Sequence, residues 1–369
     1  MITTAPLPLY ADLGRALGGA TAGISPWLKP WDSGLLSPRS AWSLAAIASA
    51  ISRRQGLPPR VLLPGWICNQ SLWPLRRMGA ELLFLPVRPD GAMEWETAEA
   101  LGSLDMVVVV HPFGCPARLD AARDFANRRG ALLVEDAAHC LMPGPGIHES
   151  GDVVLYSPHK LVATPAGGVI AIRPRAEAWA DAIAEELGDM TMSPPEAANE
   201  WRWLARRLAQ TLIPDALRPL LPQGGQADFA SDPPTIAMEP PLAPSRLAQR
   251  LLDARDLEAE ATRRRDNETA LRELVAPLAD LRPLFPAGDW IPYRMALRAA
   301  SPKAAAERYR ALRAARLPVE TWPDMAPEVT ADPCHGAGAV ALRSSVLLLP
   351  VHGALDPKRL ASAYGKVLR

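Results

Sequence analysis

At 369 residues, with 49% hydrophobic and 22% charged positions, the chain is long enough to bury a sizeable core and ordinary enough in composition to fold as globular domains. Lys plus Arg and Asp plus Glu balance at 40 each, which excludes a bulk field that would draw the protein onto nucleic acid or an anionic membrane. Cys68, Cys115, Cys140 and Cys334 form no CxxC pair and no Cys/His cluster, so no metal site and no disulfide framework is expected.

The N-terminus, MITTAPLPLYADLGRALGG, lacks a basic start followed by an apolar run, and no stretch approaches a membrane span in length. A cytoplasmic protein is expected. Residues 40–54 carry apolar side chains at helical spacing and stop at Gly56-Leu57-Pro58-Pro59. RVLLPGW (60–66) reads as a strand into a turn, 69–79 as helix, 81–87 and 106–111 as strands, 118–130 as a helix closed by glycine, and 131–136, 152–157 and 168–173 as strands. Helices interleaved with short β-branched apolar runs predict an α/β fold with a mostly parallel sheet buried on both faces.

From 189 to 242 the pattern dissolves into proline- and glycine-rich connectors around one helix at 199–212. A domain boundary is placed near 240, giving a large domain over 1–240 and a small C-terminal α+β domain over 241–369. In the latter, 245–278 reads as one long helix, 289–299 as a strand, 302–315 as a helix and 344–353 as a strand into a turn.

Ligands of parallel sheets bind beyond the carboxyl ends of the strands. There the chain places Pro64-Gly65-Trp66, His111-Pro112-Phe113-Gly114, Asp136-Ala137-Ala138-His139 and Ser157-Pro158-His159-Lys160. Only five of the 40 basic residues are lysine, and Lys160 alone sits between a β-branched strand and a Gly-Gly strand entry. A partly desolvated lysine is a nucleophile for a carbonyl. Asp136, ending an apolar strand, needs a positive or donating partner; a buried arginine or the protonated ring nitrogen of pyridoxal phosphate would each serve. Alternation puts Glu135 on the opposite face, where an arginine partner is expected.

VEDAAH followed by GDVVLYSPHKLVATPAGGVIAI resembles the fold-type-I pyridoxal-phosphate enzymes of the DegT/StrS family. The stretch from VVHPFG to VEDAAH, the helix SRLAQRLLDARDLEAEATRRRDN and the segment LLLPVHGALDPKRL are similar too, so the likeness runs over roughly 35–369. The resemblance implies pyridoxal 5'-phosphate as cofactor, Lys160 as the Schiff-base lysine, Asp136 on the pyridine nitrogen and His139 near the 3-hydroxyl. It further implies Ser157 and the Arg39-Ser40-Ala41 turn on the phosphate, with Trp66 as the ring stacked on the pyridine, although the usual family position aligns nearer Cys68. Asn69, His159, Tyr293, Arg294 and His352 are candidate substrate residues. Where common members read SGT and GEGG this chain has Pro38-Arg39-Ser40 and Pro165-Ala166-Gly167-Gly168, and Ser157 lies three residues before Lys160 instead of five. The implied activity is transfer of an amino group from an amino-acid donor to a keto acceptor, a nucleotide-linked keto sugar, by a homodimer with shared active sites. Another pyridoxal-phosphate reaction (elimination, decarboxylation or retro-aldol) and a non-catalytic relative acting as scaffold are the alternatives.

Overall fold

The structure, a computed structural model, describes residues 2–19, 23–191, 197–213, 229, 235–239, 241–322 and 324–369. Seven strands, β1 (Ser33–Ser37), β2 (Arg60–Pro64), β3 (Glu81–Leu85), β4 (Met106–Val110), β5 (Leu132–Ala137), β6 (Val153–Tyr156) and β7 (Gly168–Ile172), form one sheet in the order β1-β7-β6-β5-β4-β2-β3. Strands β3, β2, β4, β5 and β6 pair in parallel, while β7 runs antiparallel to both β6 and β1. Because the central strands share one direction, their polar exits all open at one edge. The runs MVVVV and VVLY are buried almost throughout, as expected of strands covered on both faces.

The helices Ser40–Gln55 and Asp120–Arg129 end where glycine makes a left-handed turn cheap, at Gly56 and Gly130. The expected helix at 69–79 is instead a 3-10 turn (Asn69–Leu72) followed by the short helix Trp73–Arg77. The long stretch at 245–278 is two helices, Arg246–Asp253 and Leu257–Val275, because the Asp256 side chain accepts the Ala259 N–H and caps a new start. Much of 189–242 lies outside the described residues; within it the helix Ala197–Leu212 is present.

A second, antiparallel sheet has the order β10-β9-β8, with β8 (Leu281–Pro283), β9 (Arg294–Ala299) and β10 (Val346–Pro350). The expected strand at 289–299 begins only at Arg294, after Pro292. Its alternation serves two cores. Ala296 and Leu348 pack with the first sheet's residues, whereas Met295, Leu297, Leu347 and Leu349 pack with the C-terminal helices. Helix Leu257–Val275 divides in the same way: Leu257 and Ala261 join the core under β6 and β7, and Leu271, Leu274 and Val275 join the second core. Ile2 also enters the second core, so the first residues pack away from the sheet that follows them.

Through this junction runs a buried chain of charges. Arg264, fully buried, donates to Glu260 Oε1 at 2.8 Å, to the Leu161 carbonyl at 2.6 Å and to the carbonyls of Pro292 and Tyr293 at 3.0 and 3.2 Å. Glu260 accepts in turn from Arg255 at 2.7 Å and from the Gly353 N–H at 2.9 Å, and Arg255 also pairs with Asp12. Removing one partner strands a buried charge, so Arg264→Met is expected to cost about 3–5 kcal/mol. The surface pair Arg88–Glu96, half-exposed or more on both sides, gives the comparison: Arg88→Met should cost less than about 1 kcal/mol. Urea unfolding of the two variants checks this, and equal losses would contradict the assigned role of the buried chain.

Candidate active site

Strand β5 delivers two adjacent acids to opposite sides of the sheet. Asp136 faces the open edge, where its Oδ1 accepts the Ala138 N–H at 2.9 Å and its backbone carbonyl accepts the His111 N–H at 3.0 Å. Burial pushes its carboxyl above the ordinary value, against the pull of the Lys160 ammonium, the Ala138 amide and His111. Among the described residues Glu135 has no arginine partner, contrary to expectation. Its carboxylate, fully buried, accepts the amides of His148 (2.6 Å), Ser150 (2.8 Å) and Gly151, together with His111 Nε2 at 3.1 Å. Burial opposes its charge, but His111 and these amides win, and the carboxyl falls to about 2. Because His111 Nδ1 accepts the Ala117 N–H at 2.9 Å, its ring hydrogen is on Nε2 and is donated to Glu135.

Lys160 stands on the single turn Pro158–Leu161, half-buried, with its N–H donated to the Ser157 carbonyl at 2.9 Å. Its ammonium lies close enough to Asp136, His139, His159 and Cys68 to act on the titration of all four. His139 stacks at 7° on Tyr293, with ring centres 4.4 Å apart, and is parallel to Phe113 at 5.6 Å. Its Nδ1 accepts the Phe113 N–H at 3.3 Å, and burial, reinforced by Lys160 and Arg294, holds the ring well below its ordinary pKa. The HPFG turn fixes this stack. Phe113 and Gly114 both have positive φ (55° and 91°), a Cβ at Gly114 would run into the Ile291 carbonyl, and the Phe113 carbonyl accepts the Tyr293 N–H at 2.8 Å.

On the β6–β7 side the Ser157 hydroxyl is completely buried and has no hydrogen-bond partner. Helix Ser40–Gln55 begins beside it: a Cβ at Gly168 would stand 3.3 Å from both the Tyr156 carbonyl and the Arg39 backbone, and the Gly167 N–H meets the Pro38 carbonyl at 3.1 Å. The first amides of that helix, on Ser40 and Ala41, have no carbonyl of their own helix to bond, and Arg39 is exposed with its side chain making no cap. An orphaned hydroxyl, free helix amides and a guanidinium form the donor set that an anion such as phosphate requires. His159 closes this side, its Nδ1 donating to the Gly167 carbonyl at 2.9 Å.

Several expected contacts are not made. Trp66 is only 2% exposed, with its ring packed 4.7 Å from Trp322 and edge-on to Phe113, so no face is open to a cofactor; the half-buried side chain that senses Lys160 is Cys68. Asn69 is buried, its amide satisfied by Thr235 at 2.9 Å and Arg76 at 2.8 Å. His352 is fully buried against the first residues of the chain, with Nε2 2.9 Å from the Thr3 carbonyl. Arg294 pairs with Glu320 at 2.7 Å and lies 4.1 Å over the Tyr293 ring, so it supports that ring from behind. Tyr293 is half-buried and stacked on His139. Sequence reasoning missed Asp324, 3% exposed, whose Oδ1 takes the Cys68 thiol at 3.4 Å.

Residues 74–186, a span that includes Asp136, His139, Ser157 and Lys160, match the model of the DegT/DnrJ/EryC1/StrS aminotransferase family. No curated protein matches the chain by sequence. Among solved structures it is similar to the aminotransferase TlmJ from Streptoalloteichus hindustanus (20% identity, TM-score 0.68, covering 100% of this chain and 98% of that one). It is also similar to Spr1654 from Streptococcus pneumoniae in its PLP form (15%, TM-score 0.69, all of both chains) and to the sugar aminotransferase CalS13 from Micromonospora echinospora (18%, TM-score 0.64, 100% and 99%). At these identities the likeness establishes the fold, that of the fold-type-I aminotransferases, over the whole chain.

Burial, with Lys160 and Arg39 adding to it and the Gly167 carbonyl opposing, lowers His159 from 6.5 to about 4. A group depressed on folding contributes stability that is whole above its unfolded pKa and lost as pH falls through the folded one. The wild-type advantage over His159→Gln should therefore be constant above 6.5 and shrink as pH falls toward 4, by up to roughly 3 kcal/mol. Unfolding titrations across that window check it; a constant difference would refute the assignment.

Proposed function

We propose that this protein is a pyridoxal-phosphate-dependent aminotransferase that moves an amino group from an amino-acid donor to a keto acceptor, a keto sugar carried on a nucleotide. On this reading it works in the cytoplasm as a homodimer whose active sites are shared. The observation that carries the reading is that the Lys160 ammonium acts on the Asp136 carboxyl at the exits of neighbouring strands, with the buried Ser157 hydroxyl left without a partner three residues before that lysine. The family match over 74–186 and the likeness to a sugar aminotransferase support it.

The residues present fit the cofactor. Ser157, the Ser40 and Ala41 amides and Arg39 would hold the phosphate, and Asp136 would hold the ring nitrogen, with His139 at the ring edge. When bound, the group supplies an aldehyde that takes up the amine and a ring that draws electrons from the reacting carbon. The protein does the rest. Asp136, set at the end of a strand and tied to the Ala138 amide, would accept a hydrogen bond from a protonated ring nitrogen. His139, kept uncharged by burial, with its hydrogen on Nε2, donates one hydrogen bond without adding a second cation beside Lys160. Lys160 Nζ would take and return a proton beside the reacting carbon, a general-base role that needs its flexible primary amine. Arginine cannot replace it, since guanidinium does not give up its proton.

Purified protein should absorb in the violet, lose the band on borohydride treatment and gain the cofactor's mass on Lys160. Lys160→Arg should keep its fold by circular dichroism, lack the adduct and lose at least about a thousandfold in turnover of amino donors. Normal transamination by that variant would overturn the assignment.

A further inference from the structure

A separate cavity of about 500 Å³ lies beside the Pro38–Arg39 turn, and Asp136, His139, Ser157 and Lys160 take no part in its lining. Its walls are largely apolar: Trp42 from helix Ser40–Gln55, Trp203 from helix Ala197–Leu212, and Met238 and Leu242 from the segment beyond. Such a size and lining suit a small organic ligand. Into this lining helix Ala197–Leu212 also brings Glu200, which is only 8% exposed. Acids in a first helical turn ordinarily stay at the surface, where they face the free helix amides without losing water. One Glu200 oxygen accepts the Ser245 N–H, which ties this helix to the next, but Oε2 is buried and has no hydrogen-bond partner. A buried carboxylate oxygen with nothing to accept is costly. Among the described residues no cation pairs with it: Arg39 acts instead on His159, and Arg207 lies over the Trp203 ring at 5.6 Å and donates to Gln210 at 3.1 Å. Glu239, exposed, adds a second acid to the lining against the one base, Arg39.

We propose that this cavity binds an organic ammonium ion, with the charge at Glu200 and an apolar body against Trp42 and Trp203. A cation supplies the partner that Oε2 lacks, and indole is the side-chain ring that attracts cations most strongly. A neutral apolar ligand would leave that oxygen unpaired, and an anion would meet two acids. The two tasks of Glu200 are separable. Holding the Ser245 amide needs only an acceptor, which glutamine also offers, whereas holding a cation needs the charge. The site requires nothing of Lys160 or of a cofactor, so it stands or falls apart from the aminotransferase reading.

The test is isothermal titration calorimetry of the purified full chain with benzyltrimethylammonium, a quaternary ion that cannot condense with an aldehyde. Benzyl alcohol is the neutral comparison. The ammonium should bind saturably and at least about tenfold more tightly than benzyl alcohol. Glu200→Gln should unfold at the wild-type temperature and weaken the ammonium at least about tenfold, while leaving benzyl alcohol unaffected. Trp203→Leu should weaken the ammonium several-fold. Absence of saturable ammonium binding, equal affinity for the ammonium and benzyl alcohol, or equal ammonium affinity of wild type and Glu200→Gln overturns the inference. Should Glu200→Gln fail to fold, Trp203→Leu decides, and unchanged ammonium affinity in that variant overturns the inference in the same way. The borohydride adduct on Lys160 is independent of all these outcomes and continues to test the aminotransferase reading alone.

Discussion

Much of the site hangs on one buried guanidinium. Arg264 gives its hydrogens to the carbonyls of Leu161, Pro292 and Tyr293, and its charge to Glu260. Leu161 follows Lys160 directly, and Tyr293 is the ring stacked on His139. A single side chain thus sets the distance between the turn that carries the amine and the wall contributed by the second sheet. Such a group is affordable inside the protein only because its donors are supplied with partners: Glu260 balances the charge, and the carbonyls of Leu161, Pro292 and Tyr293 take the remaining donors. The same bonds explain why the helix at Leu257–Val275 belongs to both cores, since the residue that joins them is on its buried face.

The second constraint is the period of a strand. Asp136 and Glu135 are chemically alike and adjacent, yet alternation gives them separate tasks. Glu135 is fully provided with donors and braces the turn at 148–151 and the His111 ring behind the sheet. The Asp136 carboxylate is left with one backbone amide and the pull of the Lys160 ammonium. The satisfied acid serves the fold, and the unsatisfied one is the acid the proposed chemistry uses. A shift of register by one residue would exchange them, which is why His111, bonded through its backbone to Asp136 and through its ring to Glu135, matters to both.

The sequence was informative wherever a signal was local. Helix Ser40–Gln55, strands β2 to β7 and the glycine stops were legible because apolar period and left-handed turns are written within a dozen residues. The break at Ala254–Asp256 was not, although Asp256 is a cap residue: its role depends on Arg255 being drawn inward by Asp12 and Glu260, a tertiary effect. Strands β1 and β8 escaped notice because SGLLS and LRP are short and lack a β-branched run.

The same rule divides the site. Asp136, His139, Ser157 and Lys160 fall within 25 residues at the exits of two neighbouring strands, so chain pattern alone brought them forward. The other wall comes from Tyr293 and Asp324, more than 130 residues further on, positioned by the packing of one sheet against the other. No pattern within reach of Trp66 reveals that its ring will be enclosed by Trp322 and Phe113 while the smaller Cys68 keeps the opening; that is decided by which side chain the distant wall covers. His352 and Asn69 show the matching effect: each is a polar residue near a turn that a separate segment of chain engages, His352 Nε2 at the Thr3 carbonyl and the Asn69 amide at Thr235. Chemistry assembled along the chain is therefore readable before folding, whereas selectivity assembled across it becomes readable only once both sheets are in place.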